Sequence, residues 1–222
     1  MIDSKVESAV TAALEAFSKY STFKATPFTD VFKEAFASEE DFLTKVDLLD
    51  EVFDDYPKLE ELREVFFDLL MVNFFSADVK KLEEDYLDSP EWEDIEEETL
   101  DRGTELLNLL LYLNECEEED ITPELDDYLK EFLLVDEDEF QDEYNIYEPV
   151  IEHQILMESP VEEISKVAER LPEDSELKEL FYPIMCFFHN TRPSEESKNE
   201  IAEYALHKEF DMAVLGILTN FK

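Results

Sequence analysis

The sequence predicts an all-α fold of about ten helices in a single domain spanning residues 1–222. Three observations carry that expectation. Apolar residues recur at spacings of three and four along nearly the whole chain, and no stretch alternates with period two for long enough to require a sheet. Eighteen Phe and a hydrophobic fraction of 44% supply a large core, whereas only two Gly are present for the tight turns that hairpins need.

The helices can be taken in order. The first runs from Asp3 or Ser4 to Tyr20, with Val6, Val10, Ala13, Leu14 and Phe17 on one face. Thr26-Pro27 supplies a cap and a first-turn proline for a short helix bearing Phe28, Val31, Phe32 and Phe36. Ser38-Glu39-Glu40-Asp41 opens a third, which buries Phe42, Val46, Leu49, Val52 and Phe53 and stops at Tyr56-Pro57. From Pro57 to Phe75 the pattern becomes apolar on nearly every side, which marks a central helix. Val79, Leu82 and Tyr86 give a short segment, Asp88-Ser89-Pro90 a turn, and Trp92 and Ile95 lie in a dense run of acids. A long helix passing through Cys116 follows, then one from Thr122-Pro123-Glu124 to about Val135. Asp136 to Ile146 is the least patterned stretch, with Phe140 and Tyr144 indicating one or two turns. The remaining helices are expected over Glu148–Met157, Pro160–Leu171, Glu173–His189, Ser194–Leu206 and Glu209–Phe221.

An internal similarity appears at an offset of 115 residues, where Val46–Val72 aligns with Val161–Phe187. Val52 meets Val167, Pro57 meets Pro172, and Glu64-Val65-Phe66 meets Glu179-Leu180-Phe181. Two similar helical hairpins, as in a helical repeat, account for this; so does the general likeness of any two amphipathic hairpins with a proline between them.

The organising feature is the charge of Glu83–Glu148. This segment holds 28 Asp and Glu against two bases, Arg102 and Lys130, and contributes −26 of a formal −43. Threaded through it are Leu100, Gly103, Leu106, Leu107, Leu110 and Leu113, and then Leu125, Tyr128, Leu129, Phe132 and Leu133, at helical spacing. A disordered acidic tail lacks such stripes. The carboxylates are therefore expected on folded helices, where like charges about 6 Å apart in water cost on the order of 0.7 kcal/mol per pair. Halophilic adaptation would spread acids evenly and is disfavoured by their concentration in one segment.

Several function classes are excluded or weakened. Gly103 and Gly216 both fall inside helical patterns, so neither a Walker loop nor a dinucleotide fingerprint can be built. No nucleophile elbow, HExxH or Glu-x-x-His motif occurs, and no catalytic residue, metal ligand or cofactor site is assigned. Cys186 and His189, three apart, suit two ligands of a metal, but a buried thiol beside a helix-terminal histidine explains them as well. Asp136-Glu137-Asp138-Glu139 with Asp142 and Glu143 could attract calcium, although Phe140 stands where an EF-hand loop needs a ligand. Two cysteines are too few for a disulfide framework, and no apolar run approaches bilayer length, so a soluble cytoplasmic protein is expected. Direct binding to nucleic acid or to acidic membranes is opposed by the same negative surface.

The expectation is a non-enzymatic protein that binds a basic partner. Fixed carboxylates can occupy the site of a phosphate backbone and speed association, so the first reading is an antagonist of a basic nucleic-acid-binding protein, as a DNA mimic of a defence enzyme's target or an immunity protein for a nuclease toxin. The second is a helical-repeat adaptor holding a basic peptide or protein in a groove; a helical-bundle metalloenzyme and a merely solvated acidic face are weaker alternatives. Candidate contacts are Glu93, Glu96, Glu97, Asp101, Glu117, Glu118, Glu119, Asp126, Asp127, Asp136, Asp138 and Asp142, with Trp92, Phe140 and Tyr144 as apolar anchors. Oligomeric state and the partner's identity are not encoded in any motif.

Overall fold

The computed structural model describes residues 1–77, 86, 89–134 and 140–221, without the side chains of 77, 141 and 142. Among them are twelve α-helices, three 3-10 segments and no strands. The helices are α1 (Ser4–Tyr20), α2 (Thr29–Ala37), α3 (Phe42–Asp55), α4 (Arg63–Ala77), α5 (Pro90–Thr99) and α6 (Leu106–Glu118), followed by α7 (Leu125–Phe132), α8 (Phe140–Glu152), α9 (Val161–Arg170), α10 (Phe181–His189), α11 (Glu195–Tyr204) and α12 (Lys208–Asn220). The 3-10 segments are Thr26–Phe28, Pro57–Leu62 and Gln154–Glu158. The expected segment around Val79 and Leu82, and the acidic run Asp136–Glu139, lie outside the described residues.

The two ends of the chain form the tightest helix pair. In α1, Ala9, Ala13 and Leu14 are fully buried, and a Cβ added at Gly216 of α12 would lie 3.0 Å from the Ala12 carbonyl oxygen and 3.5 Å from the Ala16 Cβ. Small residues thus let the two backbones approach. The N-terminus is tied inward as well: the Asp3 side chain caps α1 by accepting from Lys5 N–H, while the Asp3 N–H donates to Asn73 Oδ1 at 2.8 Å.

Helix α4 is the axis of the N-terminal half. Val65 through Val72 are all buried, Asp68 included, so the helix has no wet face over two turns. Phe32 of α2, Phe53 of α3 and Phe66 of α4 form a ring cluster with centroids 4.8–5.7 Å apart. A second aromatic nest unites Tyr112, Tyr128, Phe132, Tyr147 and Phe188, drawing α6, α7, α8 and α10 into the same continuous core.

Several expected boundaries shift, each for a local reason. Glu173–His189 is not one helix: α10 begins at Phe181, which puts Pro183 in the first turn, where its missing N–H has no intrahelical partner to lose. Conversely, the break expected at Tyr147 and Glu148 does not occur, because α8 runs on through Pro149. Ser89, expected in a turn, caps α5 by accepting from Trp92 N–H. Leu100 and Gly103 are not part of the α6 stripe. Gly103 lies in the connector between α5 and α6 with φ of +87°, a conformation that glycine adopts without a Cβ penalty, and Leu100 is 82% exposed.

Candidate functional site

The connector from α5 to α6 is clamped to α4 by a row of acceptors. Glu64 and Asp68, one turn apart on α4, face residues 102–104. The Glu64 carboxylate accepts from Arg102 Nε at 3.1 Å and from Gly103 N–H at 2.8 Å; Asp68 accepts from Thr104 N–H at 2.9 Å and bonds Thr104 Oγ1 at 2.5 Å. A Cβ on residue 103 would stand 2.7 Å from Asp68 Oδ1, so glycine is required here twice over, by its φ and by this approach. Arg102 reaches further, to both carboxylate oxygens of Asp50 at 2.9 and 3.1 Å, and lies over the Phe67 ring. Burial pushes the Asp68 carboxyl up to about 8, opposed by its Thr104 bonds and reinforced by the charges of Glu64 and Glu105.

This clamp fixes α5 with a groove on one side and a cleft on the other. The groove, about 710 Å³, is floored by apolar side chains from three helices: Met71 and Phe75 of α4, Trp92 and Ile95 of α5 with Leu100 just after it, and Leu107 and Leu111 of α6. Glu96 and Glu97 stand on its rim. The cleft, about 580 Å³, lies between α3 and α5 and gathers Asp47, Asp50, Asp94, Glu97 and Glu98 around Arg102. Trp92 therefore does two things. It packs against Phe74, Phe75 and Tyr86, holding the start of α5 to the core, and shows its remaining surface to the groove.

The other expected contacts are distributed. Glu93, Glu96, Glu97 and Asp101 are exposed on or just after α5, without a hydrogen-bond or ion-pair partner among the described residues. Glu118 and Glu119 are exposed at the end of α6 in the same state, but Glu117 is paired with Lys5 at 2.5 Å. Asp126 and Asp127, in the first turn of α7, are both held by Lys130 at 2.6 and 3.3 Å. Phe140 is exposed and Tyr144 half-buried on α8, their rings 6.0 Å apart. Asp136 and Asp138 lie outside the described residues, and the Asp142 side chain is not described. The structure thus assembles Trp92, Glu96 and Glu97 around one groove and leaves the remaining expected contacts elsewhere.

Sequence reasoning missed Leu100, Leu107 and Leu111 as a surface and Asp47, Asp94 and Glu98 as a cleft. Leu107 and Leu111 stand four apart on α6, but the expected stripe joins Leu100 to Leu106, Leu107, Leu110 and Leu113 as one continuous helix without Leu111, and Gly103 breaks it. Arg102 and Lys130, the two bases of the acidic segment, are both engaged within the protein. Where α6 faces α7, Glu131 lies close to the like-charged Glu115. That contact, with burial and the Glu119 charge adding to it, holds Glu131 up at about 7.

Both cysteine thiols are buried, and two of the three histidines are tied to backbone carbonyls. Cys186 is fully buried and burial pushes its thiol up to about 12; Cys116 is also buried and raised. His189 donates to the Ser159 carbonyl at 2.9 Å and His153 to the Pro149 carbonyl at 2.8 Å. Among the described residues no group of three or more His, Cys, Asp or Glu side chains is disposed to hold a metal ion, and no helix is long and apolar enough to cross a membrane. What the site offers is a charged and partly apolar surface on an all-helical protein. The chain matches no protein-family model, no curated protein and no solved structure.

Proposed function

We propose that this is a non-catalytic cytoplasmic protein that binds and antagonises a basic nucleic-acid-binding protein, acting either as a DNA mimic or as the immunity partner of a nuclease. One observation carries the reading: Glu93, Glu96 and Glu97 on α5 and Glu118 and Glu119 at the end of α6 are exposed and have no side-chain partner among the described residues, while Arg102 and Lys130 are engaged in internal pairs. The helices hold these charges in place, so binding a cationic surface requires little ordering, and their field attracts it from a distance. The test is affinity capture from a lysate of the source organism, eluted from low to high salt, with the wild type beside Glu96→Gln/Glu97→Gln/Glu98→Gln. Retention of a nuclease or DNA-binding protein that double-stranded DNA displaces, and that the triple variant fails to retain, supports antagonism. Retained proteins that DNA does not displace count against it.

A second reading, a helical-repeat adaptor for a basic peptide, draws on the two Pro-centred hairpins. Arg63 and Lys178 stand 115 residues apart, and each reaches back to the helix before its proline: Arg63 to Asp50 and Asp54 of α3, Lys178 to the Ala168, Glu169 and Leu171 carbonyls ending α9. Each hairpin also borders an acid-lined cleft of about 580 Å³. One is the cleft between α3 and α5; the other, between α8 and the Pro172 turn, is lined by Glu148, Glu152, Asp174 and Glu176. A basic peptide that binds with no competition from DNA would favour this reading.

A further inference from the structure

We infer that the apolar groove beside α5 receives a cationic amphipathic α-helix of the partner protein, the helix laying its apolar face between Trp92 and Leu100 and its Lys and Arg residues against the acidic rim. The inference rests on the reading that the partner is basic, and it adds how that partner is gripped.

The geometry selects the occupant. Leu100 is 82% exposed at the end of α5, an unusual place for a large aliphatic side chain unless something covers it, and it is continuous with half-buried Trp92, Phe75, Leu107 and Leu111. The eight-residue step from Trp92 to Leu100 along α5 corresponds to about 12 Å, or two helical turns, which suits two or three anchors at i, i+4 and i+7 of a docked helix. Among the described residues that line the groove the charge has one sign. Glu96 and Glu97 line it, and Glu118 continues the Leu107–Leu111 face toward the end of α6, all three exposed. The nearest base among the described residues, Arg102, is turned into Asp50 and Glu64. An apolar centre with an acidic rim complements a helix whose apolar stripe is flanked by cations. A second copy of this chain, itself at −43, and an anionic membrane are both opposed by the same rim.

The sole tryptophan lies in the groove, so its emission reports occupancy directly. The experiment titrates the full chain with two synthetic peptides of identical Leu and Lys composition, one patterned as an amphipathic helix and one scrambled to remove the apolar face. The patterned peptide is expected to shift Trp92 emission and to bind about tenfold or more tighter than its isomer. Leu100→Ser is expected to remove about that factor, since one leucine loses its burial on binding. The change cannot threaten folding through the core, because Leu100 is outside it. Equal, salt-sensitive binding of both peptides with Trp92 emission unmoved overturns the groove and leaves the charge-based reading standing. Binding of neither peptide overturns both. Patterned-peptide affinity unchanged in Leu100→Ser, Trp92 emission insensitive to any peptide because the chain fills its own groove, or concentration-dependent self-association that Leu100→Ser abolishes would each assign the surface to something other than a cationic helix.

Discussion

Arg102 bonds both carboxylate oxygens of Asp50, 52 residues earlier in the chain, and in doing so removes the acidic segment's most central positive charge from its surface. The same Asp50 receives Arg63, which with Arg102 and burial decides its ionisation: burial raises it, and the two guanidinium groups win, leaving it below the usual carboxylate range. Replacing Arg102 by Met keeps the contact with Phe67 but strands Glu64 and leaves Gly103 as that carboxylate's remaining partner. With the side chains of Arg102, Asp50 and Glu64 21%, 28% and 39% exposed, the loss should fall between that of a surface pair and that of a buried one, about 1–3 kcal/mol in urea denaturation. Lysine should recover only part of it, having no planar fork to span both oxygens.

Asp68 should make the protein less stable as pH rises. Its folded carboxyl titrates near 8 and that of Asp211 near 7, each raised chiefly by burial, whereas in the unfolded chain both titrate near 4. Between those limits the folded state binds more protons, so stability is fully present below about pH 4 for these two groups and is lost as pH climbs through 7 and 8. Asp50, shifted downward, acts oppositely and withdraws its contribution only at acid pH. These three groups together therefore place maximum stability in the acid range, near the ordinary carboxylate values, with stability declining from there toward pH 8. Asp68→Asn should flatten the slope between pH 6 and 8, because its amide can accept from Thr104 N–H and donate to Thr104 Oγ1 without a charge. Denaturation midpoints measured across that range, wild type against variant, check the slope; identical slopes would show that Asp68 is ionised throughout.

Much of this fold is legible in the sequence because its helices carry their own punctuation. The α1 register and cap, the proline that ends α3, and the apolar girth of α4 all follow from residues within each element. The α5–α6 connector was not legible, for a reason internal to the sequence. Leu100, Gly103, Leu106 and Leu110 keep helical spacing across a break, and only the positive φ of Gly103, forced by its seat against Asp68, separates them. The groove follows from that break. Pairing among acids was equally hidden, since nothing in the order of residues distinguishes Glu117, bound by Lys5 from 112 positions away, from unpaired Glu118 beside it.

Gly216 should tolerate nothing large. Alanine in mid-helix gains roughly 1 kcal/mol of propensity over glycine, but its Cβ would press on the Ala12 backbone at 3.0 Å, where no flexible side chain can give way. The two effects should nearly cancel, leaving Gly216→Ala within about 1 kcal/mol of wild type, whereas Gly216→Leu should cost about 3 kcal/mol or more by forcing α12 from α1. Thermal unfolding of the two variants decides this, and a well-tolerated leucine would mean that the terminal helices are not tightly seated.

The acids of α5 are placed against their own helix, and this separates a structural from a functional cause. Glu91 and Glu93 lie in the first turn, where the helix dipole welcomes negative charge, but Glu96, Glu97 and Glu98 crowd the last turn, where it does not. Glu93→Gln should therefore be neutral or cost up to about 1 kcal/mol. Glu96→Gln/Glu97→Gln/Glu98→Gln should instead stabilise by about 1–2 kcal/mol at low ionic strength, through relief of mutual repulsion and of the unfavourable terminus. The gain should shrink as salt screens the charges it removes. Urea denaturation at low and high salt measures both effects. A stabilised triple variant that no longer captures a basic partner would mean that these carboxylates are kept at the expense of the fold, for binding; a destabilised one would mean that they hold the protein together, and that the surface charge answers to no partner.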